Sequence, residues 1–163
     1  MIKDYKEYIC NMETITLNIN RSDVYTEVDK TTDYTGAKLN SEENGARDRI
    51  LATADDLNTL SRFWQETCSV ANERLKEMFV NSSLPSAENY SVTLQVSVAF
   101  DKELTPSVEA SLRSFFIVSI TGKWYVFANK GEAKEYFTEA GELIEDVRRK
   151  LYSRKRPVSP RKK

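Results

Sequence analysis

Three neighbouring pairs of carboxylates, Glu42–Glu43, Asp55–Asp56 and Glu145–Asp146, are the residues of this chain whose types and spacing could do chemistry. Two carboxyl groups at the right separation can hydrolyse a glycosidic bond, and several together can hold Mg²⁺. Each pair also has a local purpose, as loop solvation, helix capping and a solvated helix face respectively. Histidine is absent. That removes the commonest general base, the Ser-His and Cys-His nucleophile systems and the commonest metal ligand together. Neither Gly-x-x-x-x-Gly-Lys-Ser/Thr nor Gly-x-Gly-x-x-Gly occurs, and with five glycines a phosphate-cradling loop is hard to place. Cys10 and Cys68 show no Cys-x-x-Cys spacing and are expected as reduced thiols. Cys68 falls on the apolar side of a helix, as a small hydrophobe with no nearby base. The expectation is a protein that is not an enzyme, with no cofactor and no metal.

Charge is the stronger signal. Nine of the 24 Lys and Arg residues (Arg148, Arg149, Lys150, Arg154, Lys155, Arg156, Arg161, Lys162 and Lys163) lie in the last sixteen positions, where no acidic residue occurs. The rest of the chain holds 15 basic against 25 acidic residues, so a body of about −10 carries a tail of about +9. These nine cations are the candidate partner-binding residues, and a solubilising end is the other reading of the same segment. Trp64, Trp124, Tyr125, Phe115 and Phe116 could stack on single-stranded nucleic acid. They share stripes with Leu, Ile and Val, however, and are expected in the core.

The elements that must position these residues follow from periodicity. Thr14–Asn20 alternates Ile15, Leu17 and Ile19 with polar residues, a half-buried strand. Asn20–Asp23 reads as a turn and Val24–Thr35, rich in Val, Thr and Tyr, as a second strand that could complete a hairpin. Ala46–Ala52 is a short helix. Thr53 caps a longer one beginning at Ala54 and reaching about Val80, with Leu57, Leu60, Trp64, Cys68, Ala71, Leu75 and Met78 on one stripe. Tyr90–Phe100 alternates without a fault, a strand with one wet face, which makes the sheet antiparallel or mixed. Pro106 opens a helix to Ala128 that is apolar on nearly every side, buried in its own fold or against neighbouring subunits, and Gly122 is a candidate kink. Asn129 caps a last helix whose Ala133, Phe137, Ala140, Ile144, Val147 and Leu151 share a face.

The fold class expected is therefore α+β, with about four helices on one face of a small sheet. Residues 1–13 form an arm, 14–152 a single domain, and 153–163 a basic tail, disordered in the free protein because like charges repel and Pro157 and Pro160 forbid a helix. No run approaches the 18 apolar residues of a membrane span, and the first residues lack the apolar segment of a secretory signal.

From Tyr34 onward the chain resembles a group of small proteins encoded in tailed phages and prophages of Bacteroides-type gut bacteria. The residues that carry the resemblance are Gly45-Ala46-Arg47-Asp48-Arg49-Ile50, Leu60-Ser61-Arg62-Phe63-Trp64-Gln65-Glu66, Gly122-Lys123-Trp124-Tyr125, Asn129-Lys130, Glu132-Ala133 and the basic end from Arg148 to Pro157. In size and organisation the chain is similar to head-to-tail connector adaptors. The resemblance implies a virion structural protein at the head-tail junction, located in the virion and, during assembly, in the host cytoplasm. It would form a ring that contacts portal or neighbouring connector and tail proteins, with packaged DNA as a further contact and no membrane. A DNA-associated or regulatory protein that binds nucleic acid through its basic end is the alternative.

Overall fold

The computed structural model describes residues 12–39, 42, 44–80 and 88–157. In chain order these form β1 (Met12–Asn20), α1 (Arg21–Leu39), α2 (Ala46–Ile50), α3 (Leu57–Leu75), β2 (Asn89–Ser97), α4 (Thr105–Ala128) and α5 (Lys130–Leu151). The class is mixed α and β as expected, with five α-helices and a two-stranded antiparallel sheet. Met12 and Glu13, assigned to the arm, already belong to β1; the rest of that segment lies outside the described residues.

β1 pairs not with its sequence neighbour but with β2, Met12 opposite Ser97 and Asn20 opposite Asn89. Ile15, Leu17 and Ile19 share one buried face with Tyr90, Val92, Leu94 and Val96. The other face is uncharged and wet: the hydroxyls of Thr16 and Thr93 lie 3.1 Å apart, and Ser91 donates to Asn18 at 2.7 Å. β2 ends at Ser97, before the expected Phe100. Val98 turns out to solvent and Phe100 returns to the core, because the chain bends between them.

The expected second strand is a helix. Val24, Val28, Thr32, Thr35 and Gly36 bury one side of α1, at steps of three and four with Gly36 adjoining Thr35. The turn residues proved to be its start, since the Asn20 side chain accepts the Asp23 N–H at 3.1 Å, the usual role of an N-cap. Threonines that favour strands in isolation are satisfied here by donating to the helix backbone: Thr26 to the Ser22 carbonyl, Thr31 to that of Glu27. The hydroxyl of fully buried Thr32 also accepts the Ala52 N–H at 3.1 Å, tying α1 to the segment after α2.

Thr53 and Asp56 form the expected cap, with the Asp56 carboxylate accepting the Thr53 N–H at 2.8 Å. The first turn is 3₁₀, and α3 proper starts at Leu57 and ends at Leu75. Leu57 stands outside the stripe, 51% exposed, while Phe63 and Thr67 join the buried residues. Most of the apolar surface of α4 is buried within its own subunit, at Val108, Leu112, Phe115, Phe116, Ile120 and Tyr125, whereas Val126 and Phe127 near its end are exposed. Gly122 marks a close approach to α5, where a Cβ would stand 3.0 Å from that of Tyr136. On α5, Ala133, Ala140, Ile144, Val147 and Leu151 are buried, while Phe137 is 43% exposed.

Gly36 sits where α1 meets α2, and a Cβ added there would lie 2.8 Å from the Arg47 Cα, a backbone atom that cannot yield cheaply. Gly141, exposed on α5, has nothing within 4 Å of the same position. Gly36→Ala should therefore lower stability by about 1–3 kcal/mol through overpacking, and Gly141→Ala should raise it by about 0.5–1 kcal/mol through helix propensity. Denaturant midpoints would check both; shifts of the same sign would contradict the α1–α2 contact.

Candidate anion-binding site

The chain leaves α5 at Leu151 and turns back beside the bend that follows β2. There Arg154 forms an antiparallel bridge with Phe100, and the Lys155 N–H donates to the Ala99 carbonyl at 2.7 Å. The Phe100 side chain is buried in the core, 1% exposed, so the anchor is part of the folded body. The tail was expected to be free from Ser153. Its first residues are instead held, because the bend after Ser97 leaves backbone groups that Arg154 and Lys155 can pair. Arg161, Lys162 and Lys163 lie outside the described residues.

Arg154, Lys155 and Arg156 line one side of a cleft of about 750 Å³ whose other side is Asp101, Lys102, Glu103 and Leu104. All three basic residues are exposed, and none forms an ion pair among the described residues. Opposite them Lys102 faces Glu13 at 2.8 Å, and the Asp101 carboxylate accepts the Glu103 N–H at 3.1 Å to cap a short 3₁₀ turn. Such an arrangement presents unpaired cations from one wall only. A continuous polyphosphate lying along it would meet Asp101 and Glu103 as well.

The other candidate cations are engaged by their own helix. Arg148 lies 3.4 Å from Glu145, which also receives Arg74 of α3 at 3.3 Å. Arg149 and Lys150 each approach Asp146 at 2.7 Å, and Ser111 of α4 donates to the same carboxylate at 2.9 Å. The hydrogen bonds from Lys150 and then Arg149 hold the Asp146 carboxyl down to about 2. The Glu145–Asp146 pair is thus a structural ion network that joins α5 to α3 and α4. Asp55–Asp56 sits at the α3 cap, and Glu43 lies outside the described residues. Burial pushes the Cys68 thiol up to about 12, so it stays protonated at neutral pH. Cys10 lies outside the described residues.

A second cleft, of about 360 Å³, was not legible once Val24–Thr35 was read as a strand. Arg21, Ser22, Tyr25, Thr26 and Asp29 of α1 line it together with Thr53, Leu57 and Leu60. Only a helix brings positions 21, 22, 25, 26 and 29 to one side, and the Asn20 cap was the signal that could have revealed it. Burial, and then the nearby Asp56, raise the Asp29 carboxyl above its usual range. Among the described residues no group of three His, Cys, Asp or Glu could hold a metal ion, and no helix is long and apolar enough to cross a membrane. No family model, curated protein or solved structure matches the chain.

The Asp146 network makes a pH-dependent contribution of known sign. Its folded-state value is depressed, so the stabilisation is present above the ordinary carboxylate range near 4 and is lost as pH falls towards about 2. Asp146→Asn should cost on the order of 1 kcal/mol at pH 7, solvent-screened as the network is, and the deficit relative to wild type should shrink to nothing at the acid end. Melting curves across that range would check it; a deficit that persisted unchanged would mean that the ion pairs contribute nothing.

Proposed function

We propose that this chain is a non-enzymatic structural subunit of a larger assembly, which it joins through its basic C-terminal segment. The assembly to which the resemblance points is the head-tail junction of a phage particle, where the chain would link portal to tail and help retain DNA. Carrying this reading is one observation: Arg154, Lys155 and Arg156 follow a backbone anchored on Ala99 and Phe100, yet their charged heads form no ion pair among the described residues. A segment that merely solubilises has no need of such an anchor. Cations displayed from a fixed backbone lose less entropy on docking than cations on a free tail, which favours a shaped contact. Asp101 and Glu103 on the facing wall weigh against duplex DNA as the principal partner.

Gene order gives the first check, since this reading expects portal or capsid genes beside its own. Co-sedimentation with particles from the same genome gives the second. Wild-type protein should be retained at low salt and shed as the Debye length shrinks below about 8 Å. The triple variant Arg154→Gln, Lys155→Gln, Arg156→Gln should keep its melting temperature and fall away from particles even at low salt. Retention of the variant at the wild-type level would sink the reading.

A further inference from the structure

The outward ridge of α5 carries Glu135, Glu139, Glu142 and Asp146 at steps of four, three and four, opposite the buried Ala133, Ala140, Ile144 and Val147. Asp146 is neutralised by Arg149 and Lys150. Glu135, Glu139 and Glu142 are exposed and have no ion-pair partner among the described residues. Like charges at four-residue spacing disfavour a helix, so this ridge is a standing cost to the isolated subunit. The fold thus leaves the three exposed carboxylates of this ridge without an ion pair, and likewise the three cations beside the cleft, Arg154, Lys155 and Arg156.

The two sets form no ion pair with each other within one molecule. At 1.5 Å per residue, Glu142 lies about 13 Å and Glu135 about 24 Å back along the helix from Leu151, beyond the roughly 8 Å reach of a charge at physiological salt. The backbone bonds of Arg154 and Lys155 to Phe100 and Ala99 prevent the segment from folding back along α5. Between molecules they match. In an extended segment alternate residues share a side about 6.6 Å apart, which suits Arg154 and Arg156 to carboxylates one helical turn apart, such as Glu135 and Glu139 at about 6 Å of rise.

We infer that the Arg154–Lys155–Arg156 segment of one subunit docks on the Glu135–Glu139–Glu142 ridge of a second copy. The contact is head-to-tail: the patch given differs from the patch received, so each copy can do both, and the geometry generates a ring or a filament rather than a closed two-fold dimer. A discrete ridge can meet the cationic wall alone, while Asp101 and Glu103 repel carboxylates that overshoot it. This inference rests on the reading of the chain as an assembly subunit, and names its partner as itself.

Charge exchange tests it on purified full-length protein, by sedimentation velocity over a range of concentrations at about 50 mM and about 500 mM salt, where the Debye length falls from roughly 14 to roughly 4 Å. Wild type should associate beyond the dimer at low salt and weaken at least tenfold at high salt. Arg154→Glu, Lys155→Glu, Arg156→Glu should be monomeric, as should Glu135→Lys, Glu139→Lys, Glu142→Lys. An equimolar mixture of these two variants, or one chain carrying all six changes, should associate again. Should a reversal variant melt early, the glutamine versions Glu135→Gln, Glu139→Gln, Glu142→Gln replace it and should also abolish association. A wild type that stays monomeric, or a six-fold exchange that fails to restore association, overturns the inference. Either result leaves particle retention to decide the broader reading. Duplex DNA bound through the three cations, with no effect of the ridge substitutions on association, would likewise overturn it.

Discussion

The ring of Phe116 is the point on which the rest of the structure depends. Its centroid lies 4.8 Å from that of Trp64 on α3 and 5.1 Å from that of Tyr90 on β2, and Tyr25 of α1 meets Trp64 edge-on at 6.3 Å. Three helices and a strand are thereby joined through one cluster, in which Phe116, Trp64 and Tyr90 are fully buried and Tyr25 is partly so. A two-stranded sheet is marginal in water unless something covers its apolar face, and here α1, α3 and α4 supply the cover. The strands are also remote in sequence, so their pairing carries the entropy of closing a long loop. Packing around Phe116 offsets that entropy. The surface site then inherits its position: the sheet places the bend after Ser97, buried Phe100 fixes that bend, and its backbone holds Arg154.

What could be read from the sequence follows from where local pattern and tertiary environment agree. β2 was legible because one of its faces is wet and the other dry, so its alternation is the burial pattern itself. α5 was legible for the same reason at helical spacing, its start falling at Asn129 although that side chain makes no capping hydrogen bond, whereas α4, apolar on nearly every side, was marked by its length and by Pro106. α1 was not, because the same residues answer to two rules. Val, Thr and Tyr favour an extended chain on intrinsic grounds, but Val24, Val28 and Thr32 recur every four residues, and burial against the core outweighs propensities spread over a range of only ~1 kcal/mol. The error propagated. Reading α1 as a strand paired it with β1, hid the true partner of β1 and dispersed the residues that line the smaller cleft.

The site was half legible for a different reason. Composition located the basic segment but could not divide it, since pairing depends on which carboxylates the fold brings near. Glu145 and Asp146 lie within one helical turn of Arg148, Arg149 and Lys150 and could have been paired with them by spacing alone. The bridge from Arg154 to Phe100 joins residues far apart in sequence with no periodic signal in either, and only the folded chain shows it.

That division separates charge that serves the fold from charge that does not. Arg148, Arg149 and Lys150 complement the C-terminal end of the α5 dipole, and carboxylates of the same helix pair with them, so stability accounts for them twice over. Arg154, Lys155 and Arg156 lie beyond the helix, where the dipole has faded, and form no ion pair among the described residues. The same holds for Glu135, Glu139 and Glu142, which lie past the first turn of α5, where a negative charge gains little from the dipole and suffers from its neighbours. Charges of both signs that form no ion pair within the subunit remain available to a partner. In the docking inferred between copies, the helical-turn spacing of the ridge lets one contact satisfy both sets.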